Sequence, residues 1–393
     1  MLKGTAAMNR ILALLVVLSF LFPLGTFAED ASPSELDLGV DGKFRQFQSR
    51  CGEVVVAKDG EIVYQRSYGF ADPGKKVPAT TEHYYRLASV SKLVTAAAYM
   101  RLVETGRIDL DENIGEYLHL EGEKPFFAAS PRYKKTGITS RMLMSHTACI
   151  WCDKFSPRPA VTQAVNLKTN KSHKEYFYEE KPGTAYHYSN YGAGILGCII
   201  EAVTGQRLDD AVSDLLFDRM ALDAGYSPDY LKRPEDITSE VIREYGESID
   251  LDNDYVFSYG NCWMRCSDLC RIGIMLCDGG FYEGEQILKE ETVQEMISSQ
   301  KGKGGITVNS PYGLNIQRTS FTKFFQKRMV YGHQGMIDDI LCAVIFDPET
   351  RFVFSMVSVC RDPMNNQERI DGGFRALPYN LLKLTWNEFG SNQ

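Results

Sequence analysis

Ser89 and Lys92 stand three residues apart in Ser89-Val90-Ser91-Lys92, and the largely apolar run Leu93 to Met100 follows without a break. If a helix opens at Ser89, the hydroxyl and the amine share one face and come within reach of each other. An alcohol is a weak nucleophile at neutral pH until a neighbouring base takes its proton. A lysine desolvated at a helix start can be that base, because burial and the positive helix end both disfavour the ammonium. The same helix start offers a backbone N–H to a developing oxyanion. Ser-x-x-Lys recurs at Ser298/Lys301 and Ser320/Lys323. Ser298 runs into a glycine-rich loop, and Ser320 has no long amphipathic segment behind it. Only Ser89 opens a helix able to bury its own first turn.

Two later segments can complete such a site. Tyr188-Ser189-Asn190 stands immediately before an apolar helix, and a phenol beside an ammonium can be pushed towards phenolate and carry protons. Gly332-His333-Gln334-Gly335-Met336 reads as a link between two strands. A glycine there lets an edge strand approach a substrate closely, so that the Met336 N–H becomes a second oxyanion donor.

The elements that must position these groups are legible in outline. Gly52 to Ala57 and Glu61 to Tyr68 read as strands joined by the hairpin signal Asp59-Gly60. Helices are expected over Ser89 to Thr105, from Asn190 or Tyr191 to Thr204, and over Leu208 to Phe217, Trp263 to Cys277 and Glu290 to Ser298. Residues 150–182 read as a long polar loop or lid. Gly313 to Arg318, Phe325 to Gly332, Ile337 to Phe346 and Phe352 to Val359 are β-rich, and a last helix spans Gln367 to Phe389 with an interruption near Pro378. Strands at both ends and helices between them predict an α+β fold. Its antiparallel sheet is built from both termini with flanking helices, and a mostly helical lobe is inserted.

Lys3 and Arg10, the apolar stretch Ile11 to Leu24 and the small-residue site Thr26-Phe27-Ala28 predict a cleavable signal peptide at 1–28. The apolar core is short for a membrane span, so a secreted or periplasmic protein without a stable span is expected. The net charge of -8 becomes -10 once Lys3 and Arg10 are removed, a poor match for nucleic acid. Residues 29–393 are read as one domain, with an α/β lobe at about 45–120 and 305–393 and a helical lobe at about 121–304. The ten cysteines invite disulfides in an exported chain. Cys262, Cys266 and Cys270, however, fall on one helical face and read as buried free thiols. Cys149-Ile150-Trp151-Cys152 is open to a local bridge. The scattered histidines and the absence of a second Cys-x-x-Cys argue against zinc, and no metal or cofactor is called for.

Ser89-Val90-Ser91-Lys92, Tyr188-Ser189-Asn190 and His333-Gln334-Gly335, in that order, resemble the three motifs of the serine β-lactamase and penicillin-binding protein superfamily. The likeness is closest to the branch of class C β-lactamases, D-alanyl-D-alanine carboxypeptidases, D-aminopeptidases and β-lactamase-like esterases. Framework segments also look similar: Val55 to Glu61, Arg101 to Gly106, Ile138 to Thr147, Leu196 to Gly205 and Ser267 to Leu269. Together they span roughly residues 50–360.

The resemblance implies that Ser89 becomes acylated and that Lys92 and Tyr188 share the general-base role. Asn190 orients the lysine or the substrate amide, and the N–H groups of Ser89 and Met336 form the oxyanion hole. His146 is implied to be structural. Substrate contacts are expected at Asn190, His333, Gln334, Gly335 and Met336. The third motif of many β-lactamases starts with lysine, then threonine; His333 and Gln334 replace them, which weakens the expectation of efficient β-lactam hydrolysis. Ala148-Cys149 after Ser145-His146-Thr147 also departs from the family pattern. The expected activity is an exported serine hydrolase acting through an acyl-enzyme on an ester or amide, with a small-molecule or peptide substrate. Two alternatives stand beside it. One is a D-alanyl-D-alanine carboxypeptidase or β-lactamase, and the other is a non-catalytic binding protein on the same scaffold. Oligomeric state is left open.

Overall fold

The structure, a computed structural model, describes residues 32–119, 124–151, 165, 166, 168, 174–238, 257–300, 310–321, 325, 328–337, 339–360 and 368–390. The leader at 1–28, Cys152, Lys301, Lys323 and most of the 150–182 loop lie outside the described residues.

The strands are β1 (Ser49–Lys58), β2 (Glu61–Asp72), β3 (Val77–Pro78), β4 (Tyr85–Arg86), β5 (Ala224–Gly225), β6 (Trp263–Met264), β7 (Phe281–Tyr282), β8 (Glu285–Gln286), β9 (Gln317–Ser320), β10 (Met329–Ile337), β11 (Ile340–Asp347) and β12 (Phe352–Cys360). The α-helices are α1 (Glu35–Gln46), α2 (Ser91–Glu104), α3 (Ser140–Met144), α4 (Asn190–Thr204), α5 (Leu208–Val212), α6 (Phe257–Gly260), α7 (Cys266–Cys277), α8 (Glu290–Ile297) and α9 (Ala376–Phe389). The main sheet runs β3-β2-β1-β12-β11-β10-β9, with antiparallel pairs, so both ends of the chain build it as expected. Asp59 and Gly60, at φ 53° and 89°, make the positive-φ turn between β1 and β2.

Side-chain alternation splits the sheet between two cores. Val54 and Val56 of β1, Phe354 and Met356 of β12, and Leu341 and Ala343 of β11 pack with Phe44 of α1 and Leu381 and Trp386 of α9. Val55, Val357, Cys342 and Val344 face the other way, into a core shared with α2, α4 and α7. A sheet covered on both faces reads as near-continuous apolar strands, which is why β11 and β12 are buried throughout.

Several boundaries differ from expectation. The helix predicted from Ser89 begins as a 3-10 turn at Ala88–Val90, and α2 starts at Ser91. Ala88 has φ 43°, so the α-helix cannot extend back through it. The strand predicted to stop at Gly332 instead runs through His333, Gln334 and Gly335 as β10. Gly332 sits at φ 152°, and a Cβ there would lie 1.9 Å from the Val344 carbonyl oxygen, so the glycine permits β10 instead of ending it. Pro378 falls in the first turn of α9, where no intrahelical N–H is needed, so the helix is uninterrupted. The helix predicted from Trp263 starts at Cys266, because Trp263 and Met264 pair with β4 and β5. The helix predicted over Leu208 to Phe217 becomes π-helical from Ser213. Helix α1 was not anticipated, although Ser34 and Asp37 form a reciprocal capping box at its start. Cys262, Cys266 and Cys270 are free and buried.

Glu53 is a charge-bearing residue placed inside this core. It is 0 % exposed and accepts from Gln65 Nε2 at 2.7 Å. Desolvation pushes its carboxyl up to about 8. A carboxyl raised in the folded state stabilises fully below its unfolded value and loses that contribution as pH rises. Stability should therefore fall between about pH 4.5 and 8, by up to about 1.4 kcal/mol per pH unit. Glu53→Gln should flatten this slope and be the more stable form at pH 8, as read by urea melts at pH 5 and pH 8.

Candidate active site

Helix α2 carries the amine into the interior. Every residue from Ser91 to Met100 is buried, so this is a helix surrounded by protein rather than an amphipathic surface helix. Lys92 is 0 % exposed. Its Nζ lies 3.0 Å from Ser89 Oγ and donates to the Tyr259 carbonyl at 3.0 Å. The Tyr259 and Tyr188 ring centroids are 4.9 and 5.2 Å from the same nitrogen. Burial lowers the Lys92 pKa well below the ordinary lysine value, and no carboxylate is among the groups opposing it. Burial thus favours the neutral amine, whose lone pair is available to Ser89.

The phenol arrives from the start of α4. Ser189 caps that helix by accepting the Gly192 N–H at 2.9 Å, which fixes Tyr188 just before it and Asn190 as its first residue. Desolvation raises the Tyr188 pKa, and its hydrogen bond with Ser89 lowers it in part. Tyr188 is 36 % exposed where it lines the cavity, and the ordinary range of a phenol already leaves it neutral at pH 7. A neutral phenol is a proton donor, and with Lys92 it brackets Ser89.

The third segment packs from the opposite side. At Gly335 a Cβ would lie 2.9 Å from Ser89 N, 2.8 Å from Leu87 O and 2.5 Å from Cys342 Sγ. Cys342 Sγ donates to Leu87 O at 2.8 Å from beneath. The bare backbone of β10 thus lies against the turn carrying Ser89. Ser89, Tyr188, Asn190, Gln334, Gly335 and Met336 line one cavity of about 570 Å³. His333 stands behind its wall, 1 % exposed, with Nδ1 2.6 Å from the Gln334 carbonyl. Desolvation is the largest cause of a pKa pushed down to about 3, so it is a neutral imidazole.

Sequence reasoning missed several parts of this site. The Tyr259 carbonyl holds Lys92, yet a backbone oxygen has no signature in residue type. Tyr186, Tyr312, Gln317, Arg369 and Arg375 also line the cavity. Arg375 N–H donates to Gln334 Oε1 at 2.9 Å, so the amide of the third motif is pinned to the start of α9. Gly335→Ala should leave a folded protein whose turnover falls by about 10- to 100-fold, because the added methyl must displace the nucleophile turn or β10. Initial rates together with a thermal melt check this.

The Beta-lactamase family profile matches residues 40–375. The chain is 24% identical over 363 residues to an Escherichia coli (strain K12) protein named "Putative D-alanyl-D-alanine carboxypeptidase", covering 81% of this chain and 82% of that one. Among solved structures, the octameric penicillin-binding protein homologue from Pyrococcus abyssi superposes with a TM-score of 0.66 at 18% identity, over 91% of this chain and 77% of that one. EstCE1, described as a hydrolase with promiscuous acyltransferase activity, does so with a TM-score of 0.64 at 17% identity, over 89% and 97%. These two likenesses show the fold. With the profile spanning most of its length, the chain belongs to the Beta-lactamase family of hydrolases.

Proposed function

We propose that the chain is an exported serine hydrolase that passes the acyl group of an ester or amide through Ser89 to water. The observation that carries this reading is the buried Lys92 amine 3.0 Å from Ser89 Oγ. Lys92 takes the Ser89 proton as Oγ attacks the substrate carbonyl carbon. The N–H groups of Ser89 and Met336 receive the oxyanion, with Gly335 setting the spacing between their segments. Collapse breaks the bond to the alcohol or amine, which leaves with a proton from Tyr188. Lys92 passes the proton it took to Tyr188, restoring both groups; the pair then takes a proton from water as its oxygen attacks the acyl-Ser89 carbonyl, and returns that proton to Ser89 Oγ as the ester bond breaks and the acid leaves. The acyltransferase description of EstCE1 fits an acyl-enzyme of this kind.

One feature favours the carboxypeptidase or β-lactamase form of this reading. Arg369 and Arg375 line the cavity, and neither forms an ion pair with a carboxylate among the described residues. Both act electrostatically on Tyr188 or are acted on by it. Two cations beside the nucleophile that pair with no carboxylate of the described residues suit a substrate bearing a carboxylate, as D-alanyl peptides and β-lactams do.

Ser89→Ala should lower hydrolysis of p-nitrophenyl acetate by at least about 1,000-fold while the thermal melt is retained. Full activity in that variant would remove Ser89 from its role. Arg369→Gln should raise KM for a D-Ala-D-Ala peptide by about 10-fold and leave KM for the neutral ester within about 2-fold. An equal rise for both substrates would count against a carboxylate site.

A further inference from the structure

His146 holds the Tyr188 segment from three directions. Its carbonyl accepts the His187 N–H at 2.8 Å, and its Nδ1 accepts the Ser189 N–H at 3.3 Å. Its ring lies against the Tyr188 ring with centroids 4.4 Å apart. The residues on either side of Tyr188 are therefore hydrogen-bonded to this one histidine. His146 itself is 1 % exposed and sits at φ 56°, a conformation that requires support from its surroundings.

The bonds also fix the tautomers. A ring nitrogen that accepts from an N–H carries no proton, so His146 has its proton on Nε2. His333 Nδ1, 2.6 Å from a carbonyl oxygen, carries its proton there and leaves Nε2 bare. Both Nε2 atoms are buried without a hydrogen-bond partner among the described residues. One is a donor and the other an acceptor, and both rings stand against Tyr312, at 4.8 and 5.5 Å.

We infer that His146 is a positioning residue for Tyr188, holding the phenol on Ser89. The inference rests on the proposed role of Tyr188, but its first test does not depend on turnover. In protein labelled with ¹⁵N-histidine, long-range proton–nitrogen spectra at pH 7 should show His146 with a protonated Nε2 and a bare Nδ1. Its signals are identified by their loss in His146→Asn. A protonated Nδ1 would overturn the inference.

The kinetic test compares two variants on p-nitrophenyl acetate. His146→Leu keeps bulk and removes the acceptor; His146→Asn places an amide oxygen near the Nδ1 position and suits positive φ. The first should lower kcat by about 10- to 100-fold with KM changed less than about 3-fold. The second should recover to within about 5-fold of the parent. Equal activity of the leucine variant and the parent would overturn the inference, as would an asparagine variant no better than a folded leucine variant. If the leucine variant does not fold, the spectra and the asparagine variant decide. A Ser89→Ala protein with full activity would instead remove the functional reading and leave the tautomer test standing.

Discussion

The rest of the site depends on taking the Lys92 amine out of water beside the Ser89 hydroxyl. An ammonium with no carboxylate partner is expensive in a protein interior, and the least costly response is to lose its proton. Helix α2 enforces this by being buried from its first residue to Met100. The Tyr259 carbonyl takes one N–H and so fixes where the nitrogen points. The imidazoles of His146 and His333 add no charge, since burial above all holds both pKa values down. A cluster of neutral groups can move protons without stabilising a resting ion pair, which favours transfer when substrate charge develops.

The fold supplies this environment by sandwiching the nucleophile turn between separate parts of the chain. The sheet presents Gly335 from β10, α4 presents Tyr188, and α6 presents the Tyr259 carbonyl. Cys342 of β11 ties Leu87 from below. The turn at Ala88–Val90 is strained at Ala88, and such a conformation persists only where its surroundings over-determine it. The two-sided core provides that rigidity: apolar side chains alternate above and below β1, β11 and β12, with helices covering both faces.

Much of this was legible from local sequence. Ser89 and Lys92 lie within one turn, Tyr188 and Asn190 flank a helix cap, and Gly335 is a glycine where backbone must approach backbone. Strand alternation and the Asp59-Gly60 turn gave the sheet its outline. What was not legible depends on tertiary contact. Gly332 looks like a strand end, and only the neighbouring Val344 carbonyl shows why a glycine lets β10 continue. Pro378 looks like a helix break until its position in the first turn is known. Arg369 and Arg375 reach the cavity from about 280 residues beyond Ser89 in the chain, and no spacing rule connects them.

The most direct test of the central claim is the rate of fluorophosphonate labelling of Ser89 as a function of pH, followed by mass spectrometry. A buried, neutral Lys92 predicts labelling on Ser89 that reaches its plateau well below the range of an ordinary lysine and that is lost in Lys92→Met. Labelling that still climbs steadily to about pH 10.5, or that survives in Lys92→Met, would contradict it.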